Sequence, residues 1–482
     1  MNISCPKKSL VLLLSAIVPS LLSAQPALPS LGDRISGTVS IEQEYAMGQQ
    51  FLSGIRRGAP TISDPLLNAY LENVTYKLAS RSQLQDHRLS FIIIDSEALN
   101  AFAAPGGIIG VNTGLFLNAQ SEAEFASVMA HEIAHVSQRH FARGVDEAKA
   151  ARIPGMAALL ASVIIMATSD VGHGSAAVAA VQGRSLENQL RFSRSNETEA
   201  DRVGQDVMYR AGFDPDGMST LFERLLAIKR FGRQPPEFLL SHPLTESRVS
   251  GSRGRADRYP RQQYSANLEY QIVRARVVGH YAANKADLVL EYERLLEYST
   301  SEFTRDVNRY ALAIAYYENQ QFAQANATLA PLLEKDPNRI SYAVTLAEIL
   351  TEQSEPGQAI SFLQRHLAIN PGNNALTMAY VDALIESRAY TAASEAMERH
   401  SISRPNDFQL WYKLAETQGQ AGNISGVHQA RAEYFRLLGD YQRARQQLRA
   451  SLKIESDNGI APAEEARLRQ KIQEIEKLQQ NV

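Results

Sequence analysis

His131 and His135 stand four residues apart in the run Val128-Met129-Ala130-His131-Glu132-Ile133-Ala134-His135-Val136. On a helix that spacing puts both imidazoles on one face, about one turn apart, where their nitrogens can reach a single zinc ion. Glu132 lies beside them and can hold and deprotonate a water whose pKa the metal lowers from near 16 to about 7. A third ligand is available from Asn196-Glu197-Thr198-Glu199-Ala200-Asp201, about sixty residues further on. Glu197 and Asp201 share a helix face, so Glu197 can ligate the metal while Asp201 accepts a hydrogen bond from a ligating histidine. Glu199 points elsewhere.

Two helices must carry these groups. Ser121 followed by Glu124 reads as a capping box that opens the first, with Phe125, Val128, Met129 and Val136 on its buried side. The second continues through Val203, Val207 and Met208. The β-branched run Leu89 to Asp95 predicts a strand, and Gly106-Gly107 turns the chain back through Ile108 to Val111 as its hairpin partner. A strand beside a metal helix can pair with an extended substrate through backbone hydrogen bonds, which favours cleavage of unfolded polypeptide with loose sequence preference. Met156 to Thr168 and Ala176 to Val181 are strongly apolar but too short to span hydrocarbon. They read as core helices or else as a lid, hinged by the glycines around His173, or a membrane-surface contact.

The whole chain has 482 residues, 44% of them hydrophobic, which suffices for two or three domains. Lys plus Arg (49) nearly balances Asp plus Glu (52), so the charge points to no nucleic-acid partner. Aromatic content of 7% with a single Trp disfavours an all-β fold. Lys7 and Lys8 precede an apolar run from Leu10 to Leu22 that ends at Ser23-Ala24, a secretory signal peptide over residues 1–24. Its removal takes Cys5 with it, which excludes cysteine chemistry from the exported chain.

Pro337, Pro371 and Pro405 recur every 34 residues, as do Ala325, Ala359 and Ala393, with Leu329, Leu363 and Met397 in register. The pattern resembles the tetratricopeptide repeat, paired antiparallel helices that stack into a solenoid and cup protein partners. Three units are clear from Asn308 to Pro405, a fourth starts at Phe408 with Trp411, and Tyr270 to Phe303 forms a degenerate first unit. After Pro462, Leu468, Ile472, Ile475 and Leu478 share a face, as on a capping helix. Between Ser247 and Ala266, Arg248, Arg253, Arg255, Arg258 and Arg261 surround Gly251, Gly254 and Pro260, which reads as a solvated joint. The expected division is a signal peptide (1–24), a metallopeptidase domain (25–255), a linker (256–269) and a repeat domain (270–482) with clear units about 306–439.

The runs Asn100-Ala101-Phe102-Ala103-Ala104-Pro105-Gly106-Gly107 and Gly110-Val111-Asn112-Thr113-Gly114-Leu115, then HEIAH and NETEAD, resemble the HtpX-like and CAAX-prenyl-protease-like zinc metallopeptidases. With the signal peptide in front and the repeats behind, the chain is similar to the periplasmic, β-barrel assembly-enhancing branch of that family. The resemblance implies an α-rich, multidomain chain with a zincin-like α+β metallopeptidase domain followed by an α-solenoid. It makes His131, His135 and Glu197 ligands of one zinc per chain, Glu132 the catalytic base and Asp201 an auxiliary acid. It implies protein quality control in the periplasm, partly proteolytic and partly chaperone-like, with unfolded or misassembled outer-membrane proteins as clients. The repeat domain would then meet the β-barrel assembly machinery. The His242-Pro243 pair matches a recurrent family element, and three roles stay open for His242: a fourth zinc ligand that keeps the enzyme latent, a hydrogen-bond donor to the oxyanion, or structure alone. His87, His140, His280, His366, His400 and His428 have no ligand-like spacing and read as ordinary residues. The competing class is a non-enzymatic chaperone or scaffold on a latent peptidase fold.

Overall fold

The computed structural model describes residues 39–150, 194–231 and 236–480. The signal-peptide reading and the apolar stretches Met156 to Thr168 and Ala176 to Val181 lie outside the described residues. Among the described residues, no helix is long and apolar enough to cross a membrane.

Two helices, α1 (Ile41–Gly58) and α2 (Pro65–Ala79), precede the strands β1 (Ser90–Ile94), β2 (Ala101–Ala104) and β3 (Ile108–Asn112). Alternation along β1 sends Ile92 and Ile94 to one face of the sheet, against Phe51, Leu52 and Ile55 of α1. Ile93 goes to the other face with Ile109 and Val111, into the main core around α2.

The sheet order is β1-β3-β2, with β3 parallel to β1 and antiparallel to β2. The Gly106-Gly107 turn therefore joins β2 to β3, and β3 is not the hairpin partner of β1 that the sequence predicted. β2 escaped notice because Ala-Phe-Ala-Ala carries little β-propensity. Both turn glycines adopt positive φ, and a Cβ on Gly106 would lie 2.6 Å from the Tyr45 Cα.

After α3 (Gly114–Asn118), helix α4 (Glu122–Ser137) runs through the core, buried on every side from Glu124 to His135. Ser121 caps it by accepting from the Glu124 N–H at 3.3 Å. The reciprocal half of the box is absent, because the Glu124 carboxylate accepts from the Gln120 N–H at 2.6 Å and pairs with Arg224. Then come α5 (His140–Ala150), α6 (Arg194–Arg210), α7 (Asp216–Phe231), α8 (Phe238–Ser241) and α9 (Glu246–Ala256). Gly204 lets α6 press on α4, since a Cβ there would stand 3.2 Å from the Ala130 carbonyl and the His131 nitrogen. Arg248 is on α9, buried and ion-paired. The solvated joint is thus confined to the exposed Arg253, Arg258 and Arg261.

Twelve further described helices, α10 (Leu268–Tyr281) to α21 (Pro462–Gln480), form antiparallel pairs that stack as a solenoid. The Ala325, Ala359 and Ala393 column is fully buried, which allows close approach of paired helices. α10 also belongs to the peptidase core: Tyr270, Val273 and Val277 lie in the same cluster as Tyr70 and Phe125. The Tyr270 O–H donates to the Ala119 carbonyl at 2.6 Å.

Candidate metal centre

α4 and α6 bring the two sequence motifs face to face, and the loop after α8 adds a third piece. One ligand atom from each of His131, His135, Glu197 and His242 lies within 4.8 Å of every other. The Nε2 atoms of His131 and His135 are 2.9 Å apart. His242 Nδ1 is 3.3 Å from His131 Nε2 and 3.2 Å from Glu197 Oε1. Glu197 oxygens stand 3.5 Å from Nε2 of both His131 and His135. All four side chains are at most 3% exposed.

The outer partners set which nitrogens face inward. His131 Nδ1 lies 3.0 Å from Asp201 Oδ1, an acceptor, so a proton belongs on Nδ1 and Nε2 faces the cluster. His135 Nδ1 meets His140 Nδ1 at 2.8 Å, and His140 Nε2 meets Glu199 Oε2 at 3.2 Å. Protons donated in that direction, from His135 to His140 and from His140 to Glu199, turn His135 Nε2 toward His131 and Glu197. His242 Nε2 is 3.3 Å from Glu132 Oε1, so a proton there leaves Nδ1 facing the cluster. Three imidazole nitrogens and a carboxylate converging this closely suit a tetrahedral cation such as zinc.

The surrounding charges reinforce this. Burial would lower His131, but Asp201 and Glu197 outweigh it and carry the ring up to about 9, a measure of the negative charge gathered there. Burial would raise Asp201, yet Arg248 and His131 hold it below the ordinary carboxylate range. Arg248 spans both acids, with Nη2 2.8 Å from Asp201 Oδ1 and Nη1 2.9 Å from Glu197 Oε2. Glu132 is raised above the usual range by burial, against the pull of His242 and His131. Its carboxylate accepts from the backbone N–H of Ala103, which faces away from β3. A small cavity next to it, of about 50 Å³, is lined by Ala103, Pro105 and His135.

The structure thus gathers His131, Glu132, His135, Glu197, Asp201 and His242 in one buried cluster. Two further residues that support it carry no spacing signal. His140, read as ordinary, directly supports His135, and Arg248 neutralises two buried acids. The one available hint is Thr245, whose N-cap acceptance from the Arg248 N–H at 3.3 Å places that arginine in the first turn of a helix close behind His242. Glu199 turns away from the cluster centre, to His140 and Arg143.

Comparison with known proteins adds identity to this geometry. Residues 65–256 match the model of Peptidase family M48, and residues 350–417 match a tetratricopeptide repeat. A β-barrel assembly-enhancing protease of Yersinia pestis is 31% identical, covering 88% of this chain and 87% of its own length. The β-barrel assembly-enhancing protease of Escherichia coli K12 is 30% identical, covering 98% and 97%. The mitochondrial metalloendopeptidase OMA1 of Schizosaccharomyces pombe is 29% identical over 37% of this chain and 50% of its own.

Proposed function

The chain belongs to the β-barrel assembly-enhancing proteases, metallopeptidases of family M48 that carry tetratricopeptide repeats, and on that premise we propose an exported zinc endopeptidase of the periplasm. It degrades misfolded or stalled outer-membrane β-barrel polypeptides and holds others in a chaperone-like way, with the solenoid meeting the assembly machinery. The observation that carries the reading is the convergence of His131, His135, Glu197 and His242 within 4.8 Å, with the carboxylate of Glu132 against His242.

A zinc ion bound by His131, His135 and Glu197 supplies a Lewis acid for the scissile carbonyl and an acidified water for the attack. Glu132 would take the proton of the attacking water and return it to the leaving nitrogen. Asp201 and the His140–Glu199 pair keep the ring protons of His131 and His135 outward. Ala101 and Ala103 turn their backbone groups to the outer side of β2, where an extended substrate can pair next to Glu132. His242 would be at hand as a fourth ligand and stands 3.3 Å from Glu132, which favours the latency role over the other two.

The test compares wild type with Glu132→Gln on unfolded casein. Cleavage should fall by about 10²–10⁴-fold with zinc content unchanged. Equal support of outer-membrane assembly in cells by Glu132→Gln would instead favour the scaffold reading. His242→Ala should raise casein cleavage, whereas a collapse of activity would make His242 a catalytic donor.

A further inference from the structure

The sheet has a second free side, on β1. Ser90 N–H donates to the Gly107 carbonyl and Ile94 C=O accepts from Thr113 N–H, both at 3.0 Å. Ser90, Ile92 and Ile94 therefore spend their backbone groups on β3, while Leu89, Phe91 and Ile93 turn theirs outward. Among the described residues, only the far end is covered, where Ile62 N–H donates to the Ile93 carbonyl at 3.1 Å and Asp95 N–H to the Pro60 carbonyl at 2.9 Å. Among the described residues, nothing pairs with the Leu89 C=O or with the N–H and C=O of Phe91.

That open stretch lines a cavity of about 270 Å³ whose opposite wall is the solenoid loop 403–409. The walls are tied together: Arg404 pairs with Glu72 at 2.8 Å, Gln409 donates to Thr61 at 3.2 Å, and Arg56 donates to the Asn406 carbonyl at 3.0 Å. A strand edge facing a preformed groove calls for one kind of occupant, a segment with its own unpaired row of N–H and C=O groups. A closed β-barrel has no such row, whereas every barrel short of closure has one.

We propose that this groove binds an extended strand of an unclosed outer-membrane barrel, which adds to β1 as a fourth strand and stays uncut. The assignment of the client rests on the function proposed above. With strands about 4.8 Å apart, the added strand lies about three spacings from β2, roughly 14 Å, while Glu132 works on the far side of β2. One sheet thus separates holding from cutting.

The probe is a fluorescein-labelled peptide of alternating valine and threonine with lysine at each end, bound to the full-length protein and followed by anisotropy. Phe91→Pro removes an outward donor without touching a bond to β3, and Phe91→Val keeps that donor. The proline variant should bind about tenfold more weakly and the valine variant within about threefold of wild type, with casein cleavage by both unchanged. Equal binding by Phe91→Pro, or a loss in Phe91→Val as large as in Phe91→Pro, overturns strand pairing at this edge. Should the proline variant not fold, hydrogen exchange of the wild-type Phe91 amide decides: the peptide must slow it, and no slowing overturns the proposal. An unfolded eight-stranded barrel protein should displace the peptide and an unfolded helical protein should not; equal displacement by both overturns the barrel assignment. Absence of casein cleavage by both the wild type and His242→Ala would sink the peptidase reading alone and leave strand binding intact.

Discussion

Arg248 stands where two buried acids need a cation. Removing it as Arg248→Ala leaves the buried Asp201 and Glu197 short of a positive charge, at a cost of about 3–5 kcal/mol. Zinc affinity should fall by about 10–100-fold, because Asp201 then loses its fixed position against His131. Thermal unfolding and competition with a chromophoric chelator measure the two effects. Arg248→Lys should recover only part of the loss, since an ammonium cannot span two carboxylates as a guanidinium does. The metal itself is a second lever: demetallation should lower the melting temperature, and zinc at about a hundredfold excess over its dissociation constant should restore about 2.7 kcal/mol. The helical period made His131, Glu132 and His135 legible as one constellation, because a spacing of four fixes a shared face. His140 and Arg248 were not legible, since they reach the cluster by a chain reversal after α4 and by the return of α9, and neither event leaves a spacing in the sequence.

The distance between α4 and α6 sets how Glu197 and Asp201 meet the two histidines. Gly204, one turn beyond Asp201, rests on the backbone of Ala130 and His131, and the atoms a new methyl would meet at 3.2 Å cannot rotate away. Gly204→Ala should therefore push the helices apart by a few tenths of an ångström, costing about 1–3 kcal/mol of stability. Zinc affinity should drop with it, while an alanine at the exposed Gly254, where nothing lies within 4 Å, should change neither quantity. Titration of metal into both variants, read by calorimetry, checks this. At this scale α4, α6 and β1 were readable from apolar periodicity. The pairing of the strands was not, because the turn glycines announce a hairpin without naming its members, and the weak strand β2 turned out to be one of them.

The proline and alanine columns made the solenoid legible because each unit repeats the same packing problem. Its embrace of the peptidase half was not, since Leu66 among Ala343, Val344 and Ala347 follows no period. Arg276 shows what that contact demands. It bonds Asp64, the cap of α2, at 2.6 Å and Glu348 on helix α14 (Ile340–Glu352) at 2.8 Å, binding one end of the peptidase core to the third helix pair. The larger tie is α10, whose Tyr270, Val273 and Val277 fill the core around Tyr70 and Phe125. Each of those side chains contributes about 1.5–3 kcal/mol by burial, which together approaches the 5–15 kcal/mol by which a typical domain is stable. A chain cut after residue 267 loses all three and exposes the aromatic wall they cover. It should lack the near-ultraviolet circular dichroism of packed aromatic rings and bind no zinc. A chain ending at residue 298 keeps α10 and α11 (Lys285–Glu297) and should fold and cleave casein. The intact protein should melt in one calorimetric transition that includes both halves. A cooperative transition from the 267-residue chain within a few degrees of the intact protein would mean that α10 covers the core without completing it.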